Sequence, residues 1–315
     1  MTNKVLVIGG SGYIGLKLVK KLVELNLDVT VMSRDIAKLK TMTFLESTKL
    51  YPGVITRITD VQTVVKDQDC IINLAAIISK YRVDIKKPVY DLRVNCEGQL
   101  NVLESVKNEN PKVKYIFVGS RAQFGKVKIK DLPIKEDYPK NPISLYGIHK
   151  QTGEEYCHLY KKLYNINSIV LRPVGVYGPS IPGGPEKSVL NLLIKKALRG
   201  ETFDIYGHGK DIKDFIYIDD LIDLFRILIT SDIKYDTFNV GCGEGLSFYE
   251  IGELIDMFCG KGGFRLTDFP EEYKKFEMGS FVADITKVKK KTQWSPHFQL
   301  SKGIENTIEY YRHKM

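Results

Sequence analysis

An apolar run, Lys4-Val-Leu-Val-Ile8, passes directly into Gly9-Gly10-Ser11-Gly12-Tyr13-Ile14-Gly15 and then into the helical pattern Leu16-Lys17-Leu18-Val19-Lys20-Lys21-Leu22. Among the 315 residues this junction most narrows what the chain can become. A short β-branched, apolar strand suits the interior of a parallel sheet, buried on both faces. Glycines in such a turn permit a tight reversal, close backbone approach to a pyrophosphate and close helix packing. The helix start adds unpaired N–H groups and the positive end of a dipole. The junction therefore predicts dinucleotide binding, with Gly9, Gly12, Tyr13, Ile14 and Gly15 around the cofactor.

A second signature gives that cofactor a task. Tyr146 and Lys150, in Leu145-Tyr-Gly-Ile-His-Lys150, stand four apart and share one face of a helix. Bringing a phenol from its ordinary pKa near 10 to neutrality takes about 3 units, or roughly 4 kcal/mol. One cation at ~4 Å supplies about that much at an effective dielectric of ~20. The pair reads as an acid–base catalyst; standing alone, it would read as an ordinary surface Tyr and Lys.

Further stretches follow in order: INLAA at 72–76, RVNCEGQLNVLES at 93–105, VGSRAQFG at 118–125, LRPVGVYGP at 171–179, IYGHGKDIKDFIYIDD at 205–220 and FNVGCGE at 238–244. With the two signatures above, the chain resembles the extended short-chain dehydrogenases/reductases over nearly its whole length. The branch it resembles is that of the UDP-galactose 4-epimerase-like, NAD(P)-dependent nucleotide-sugar epimerases, dehydratases and ketoreductases. The resemblance implies that Ser120 bonds the reacting sugar oxygen while Tyr146 moves its proton, and that Lys150 bonds the nicotinamide ribose and lowers the Tyr146 pKa. It further implies Ala75, Ala76, Pro173 and Val176 along the cofactor, Asn95 ordering the site, and Lys213 and either Lys274 or Lys275 on the substrate diphosphate. A homodimer through helices 92–107 and 144–164 is also implied.

Departures from the family pattern carry information. Its 4,6-dehydratases have an Asp-Glu pair after the serine; here Arg121 and Ala122 follow Ser120, which argues against dehydration. Gly175 replaces the usual Asn before Val176-Tyr177-Gly178 and removes a side-chain bond to the diphosphate. Where an acidic residue would bond the ribose of NAD, the second strand ends in Ser33-Arg34-Asp35. Arginine there favours the 2′-phosphate of NADP. NADP(H) is thus the expected cofactor, with NAD(H) the alternative; a second reading of the same residues is a cap by Ser33 or Asp35 with Arg34 solvated. An NADPH-dependent 4-ketoreductase of a nucleotide hexose follows as the expected activity. A 4-epimerase is the runner-up, and a non-catalytic NADP-sensing protein the reading from another class.

The remaining sequence agrees with an ordinary water-soluble enzyme. No run of ~18 apolar residues suggests a membrane span, and a start that enters a strand directly makes a cytoplasmic location the expectation. Five cysteines, widely spaced and without a CxxC pair, suggest neither a disulfide framework nor a metal site. The net charge of +9 is spread as lysines among acids, without an aromatic or groove-reading pattern, so no nucleic-acid partner is expected.

Strand-like runs at 4–8, 28–32, 70–74, 114–119 and 168–172 alternate with helical patterns at 92–107 and 144–164. Alternation of this kind predicts an α/β fold, a doubly wound parallel-sheet Rossmann domain. Residues 1–175, with a return at about 214–230, would form it. Residues 176–213 and 231–315 would form a smaller C-terminal substrate lobe, with loops 79–87 and 181–187 shaping the sugar end of the cleft.

Overall fold

Val5 and Val7 point to one side of the first strand, Lys4–Ile8, and Leu6 and Ile8 to the other, and all four are buried. The strand is therefore central, with apolar cover on both faces. The computed structural model describes residues 3–37, 39–78, 88–186 and 188–314. Loop 79–87 and Lys187 lie outside the described residues. Seven parallel strands make the main sheet, in the order Asp236–Val240, Ser168–Pro173, Lys114–Val118, Cys70–Asn73, Lys4–Ile8, Asp28–Ser33 and Lys49–Pro52. Chain order reverses between Lys4–Ile8 and Cys70–Asn73, which opens a crevice at their carboxyl ends.

On one face, helices Tyr13–Glu24 and Ile218–Thr230 bury Leu16, Val19, Leu22, Leu221 and Phe225 against Val5, Val7 and Ile72. Lys17 pairs with Asp219 at 3.0 Å between the same two helices. On the other face, Ile58–Val65, Gly98–Glu109 and Leu145–Tyr164 bury Val61, Val65, Val102, Val106 and Cys157 against Leu6, Ile8 and Tyr115. All five cysteines are buried free thiols.

The smaller lobe has a core of its own, in which Leu190, Ile194, Phe203, Ile251, Ile255 and Ile304 meet. Helices Val189–Leu198, Phe248–Cys259 and Leu300–Arg312 surround the parallel pair Phe203–Tyr206 and Phe264–Thr267. A capping box between Ser247 and Glu250 starts the second of these helices.

Two elements differ from expectation. Asp236–Val240 is an edge strand of the large sheet, so the return to the large lobe extends past 230. The helix expected over 92–107 is Pro88–Leu92 and Gly98–Glu109 joined by a π-turn at Arg93–Glu97. Asn95 lies in that turn, and its side chain leaves the helix surface to hold the segment after Asn73.

Candidate active site

Gly9, with φ +81°, packs its backbone against Ala75; a Cβ there would lie 2.7 Å from the Ala75 nitrogen. At Gly15 a Cβ would lie 2.6 Å from the Gly9 carbonyl oxygen. Gly12 differs, for a Cβ there would meet only that carbonyl, at 3.2 Å, and would otherwise project into the cleft. No side chain caps helix Tyr13–Glu24 at Gly12, which leaves its first N–H groups for an anion. The residues present fit the diphosphate of a dinucleotide.

The cleft above this turn has a volume of about 780 Å³ and runs from the large sheet into the smaller lobe. It brings together Gly9, Gly12, Tyr13, Ile14, Gly15, Ser33, Arg34, Ala75, Ala76, Ser120, Tyr146, Lys150, Pro173, Val176 and Lys213. Asn95 stands behind it. Its amide donates to the Ile77 carbonyl at 2.8 Å and accepts the Ile77 N–H at 3.0 Å, fixing the strand exit that carries Ala75 and Ala76. Lys274 is not brought in. It sits on the short helix Glu271–Lys274, paired with Glu271 and exposed.

Ser144 caps the helix that carries Tyr146 and Lys150, accepting the Gly147 N–H at 3.1 Å. Gly147 lets this helix begin close to the turn Arg121–Phe124, since a Cβ would fall 2.5 Å from the Ala122 carbonyl oxygen. Ser120 precedes that turn, and its hydroxyl accepts the Ala122 N–H at 3.2 Å. Lys150 is only 3% exposed and donates to the Val118 carbonyl at 2.6 Å. Burial pushes its ammonium down to about 8, partly offset by Asp91 and neighbouring thiols. The Lys150 Nζ lies 5.8 Å from the centre of the Tyr146 ring. Ser120, Tyr146 and Lys150 thus share the carboxyl edge of the sheet, in the same cleft as Pro173 and Val176.

Several lining residues escape a reading of the sequence. Tyr206, Phe215, Phe248, Phe269 and Phe276 give the far end an aromatic wall, with the Tyr206 and Phe269 rings 5.9 Å apart. Val189, Leu192 and Lys196 reach the cleft from one helix, a spacing of three and four that was legible as a shared face. Asp60 accepts the Val54 N–H at 2.9 Å and so holds the loop Gly53-Val54-Ile55 that lines the cleft beside Ser33 and Arg34. Gly175 has a steric reason: a Cβ would lie 2.6 Å from the Phe215 ring, which fills the place of the missing side chain. Lys213 lines the cleft but is held within the protein, donating to Glu277 at 2.8 Å, to the Gly279 carbonyl at 2.9 Å and to Asp211 at 3.4 Å.

Comparison with known proteins bears on this cleft. The family model described as "NAD dependent epimerase/dehydratase family" matches residues 5–241. A UDP-glucose 4-epimerase of Lactobacillus helveticus is 31% identical over 315 aligned positions, covering 93% of this chain and 92% of the relative. A solved Thermus thermophilus UDP-glucose 4-epimerase in complex with NAD superposes with a TM-score of 0.85 at 25% identity, over 99% of this chain and all of the other. The Bacillus cereus UDP-glucuronic acid 4-epimerase, solved with UDP-glucuronic acid and NAD, gives 0.85 at 27% identity with the same coverage.

These structures overturn the expectation of NADP(H), because the relatives hold NAD. The fold supplies a physical reason why Arg34 misleads. Its Nη1 donates to the Tyr90 hydroxyl at 2.6 Å, so the guanidinium has an acceptor inside the protein. Ser33 shares a hydrogen bond with Ser11 at 2.8 Å, and Asp35 accepts the Ala37 N–H at 2.9 Å. An arginine with a protein partner does not require a 2′-phosphate.

Proposed function

The chain belongs to the NAD dependent epimerase/dehydratase family, and from that premise we propose that it is a nucleotide-sugar 4-epimerase working with NAD. It is an enzyme acting near the sugar C4. The observation that carries the reading is the convergence of Ser120, Tyr146 and Lys150 on a cleft that continues from the dinucleotide turn into the smaller lobe. The 4-ketoreductase expectation drew its support from NADPH and loses it with that cofactor. An NADP-sensing role falls for the same reason.

NAD, when bound, supplies the hydride acceptor and donor. Tyr146 takes the proton from the sugar O4 as the C4 hydrogen leaves and gives it back to the oxygen of the 4-keto sugar. Ser120 bonds that oxygen and holds it within reach of the phenol. Lys150, whose Nζ lies 5.8 Å from the centre of the Tyr146 ring, is the cation that would favour the phenolate form of Tyr146. Inversion without net redox change requires the 4-keto sugar to present its other face before reduction, and the 780 Å³ cleft leaves room for this. Gly12 and the helix start receive the cofactor diphosphate. Lys196 and the aromatic wall at Tyr206 and Phe269 are suited to the substrate diphosphate and base.

The test is to incubate the protein with UDP-glucose, UDP-galactose and their C6-oxidised counterparts and to follow both the sugar and the nicotinamide. Interconversion of C4 epimers with no net change in nicotinamide redox state is expected. Stoichiometric oxidation or reduction of added cofactor would remove the epimerase reading.

A further inference from the structure

A buried acid stands behind the cleft with no part in the proton transfer at C4. Asp91 lies on the short helix Pro88–Leu92 and is 3% exposed. Its Oδ1 is 2.7 Å from Nδ1 of His149 and accepts the Asn95 amide at 2.6 Å. His149, the only buried histidine among the described residues, sits immediately before Lys150 in the helix Leu145–Tyr164. The π-turn Arg93–Glu97 carries Asn95, whose amide also holds both backbone groups of Ile77. A continuous chain of hydrogen bonds, His149 to Asp91 to Asn95 to Ile77, therefore runs from the helix of Lys150 to the segment that carries Ala75 and Ala76.

A carboxylate taken out of water needs a counter-charge as well as hydrogen bonds, and so does a buried ammonium. Burial pushes the Lys150 ammonium down, and the Cys96 thiol, Asp91 and the Cys157 thiol push it back up. Both thiols are uncharged at neutral pH. Burial, with Asp91 next, pushes Cys96 up to about 11, and burial, with Glu154 next, pushes Cys157 up as well. Among these groups Asp91 is thus the one that bears a negative charge. The other neighbours do not compete. Glu154, further along the helix, is taken by Arg172 and Lys140, while Arg93 and Glu97 of the π-turn are exposed. Tyr146, on the same helix, bears a charge only once it has given up its proton. The strand behind Lys150 offers the Val118 carbonyl and the Phe117 ring, whose centre is 5.0 Å from Nζ, and neither bears a formal charge.

We propose that Asp91 is a positioning residue: held by His149 and Asn95, it supplies the counter-charge for the Lys150 ammonium and ties the helix of Lys150 to the segment Ala75–Ile77. Its bearing on turnover rests on the 4-epimerase reading, but the charge pairing is tested without turnover. Urea midpoints at pH 7 are measured for the wild type, Asp91→Asn, Lys150→Met and the double variant. Asp91→Asn keeps the shape and removes the charge. It should lower the midpoint of the wild type, and lower it less than about half as much beside Lys150→Met, because interacting charges are not additive. Equal lowering in both backgrounds would overturn the proposal. So would failure of Asp91→Asn to fold in either background, which would make the carboxylate a structural requirement independent of Lys150; folding only beside Lys150→Met would uphold it as the same coupling at its extreme. A second readout is the pH dependence of kcat for C4 interconversion in the NAD-loaded protein. An ammonium without its counter-charge loses its proton at lower pH, so Asp91→Asn should move the alkaline limb down by about one unit. An unmoved limb in an active variant would overturn the proposal. Unequal lowering of the midpoints in a protein that does not interconvert C4 epimers would uphold Asp91 and refute the epimerase; C4 interconversion with equal lowering would do the reverse.

Discussion

Lys150 donates to the Val118 carbonyl at 2.6 Å from a position almost sealed from solvent, tying helix Leu145–Tyr164 to the end of the strand that leads to Ser120. One hydrogen bond thus fixes the relation between Ser120 and Lys150, thirty residues apart in the chain, to which the proposed mechanism gives catalytic roles. It also holds a positive charge where the fold by itself would prefer none.

That placement sets function against stability. Burial lowers the Lys150 pKa from 10.5 to about 8. Below pH 8 the ammonium is charged in folded and unfolded chains alike, and its desolvation penalty is fully present. Between pH 8 and 10.5 the unfolded chain binds the proton more readily, so stability attributable to this site rises with pH and the penalty disappears. A shift of this size corresponds to ~3 kcal/mol. Lys150→Met, which keeps the aliphatic stem, should abolish epimerisation while unfolding at equal or higher denaturant at pH 7. Its advantage should shrink as pH approaches 10. A variant markedly less stable than wild type at pH 7 would contradict this account of the buried charge.

Tyr146→Phe removes the proton carrier and little else, because the ring and the helix remain. Turnover should fall by roughly 10²-fold or more, while NAD titrated against protein fluorescence binds nearly as before. Near-normal turnover would exclude Tyr146 as the acid–base group.

Glu154 behaves in the opposite sense to Lys150. Burial pushes its carboxyl up, but Arg172 and Lys140 win and bring it from 4.5 down to about 2. Stability from this group is complete above pH 4.5 and is lost as pH falls through 2, a contribution of ~3 kcal/mol. Glu154→Gln should be strongly destabilised at pH 7, since it leaves Arg172 buried without its counter-charge. The gap from wild type should narrow between pH 4.5 and 2; urea midpoints measured across that range check the slope.

Ile148, Leu159 and Leu163 are each at least 45% exposed on the helix that carries Tyr146 and Lys150. Their spacing places an apolar stripe along one side of it. A homodimer through this helix is expected, and Leu159→Glu should convert it to a monomer by light scattering at micromolar concentration. A monomeric wild type would remove the dimer.

Much of this molecule was legible from local pattern. The strand–glycine–helix junction, the Tyr146/Lys150 spacing and the alternation behind the parallel sheet all depend on residues a few positions apart, where periodicity and turn chemistry act. Strand Lys4–Ile8 was placed to the residue, and helix Leu145–Tyr164 within one. What failed or went unseen depends on partners far along the chain. Arg34 meets Tyr90 from 56 positions away, and Lys213 meets Glu277 from 64. Phe215 occupies the space beside Gly175, and Phe281 meets Arg121 from 160 positions further along the chain. The type and spacing of charged residues set what each one is able to bind. Only the tertiary structure decides which partner arrives, because an ion or ring contact depends on distance in space, and folding alone brings these groups within a few ångströms.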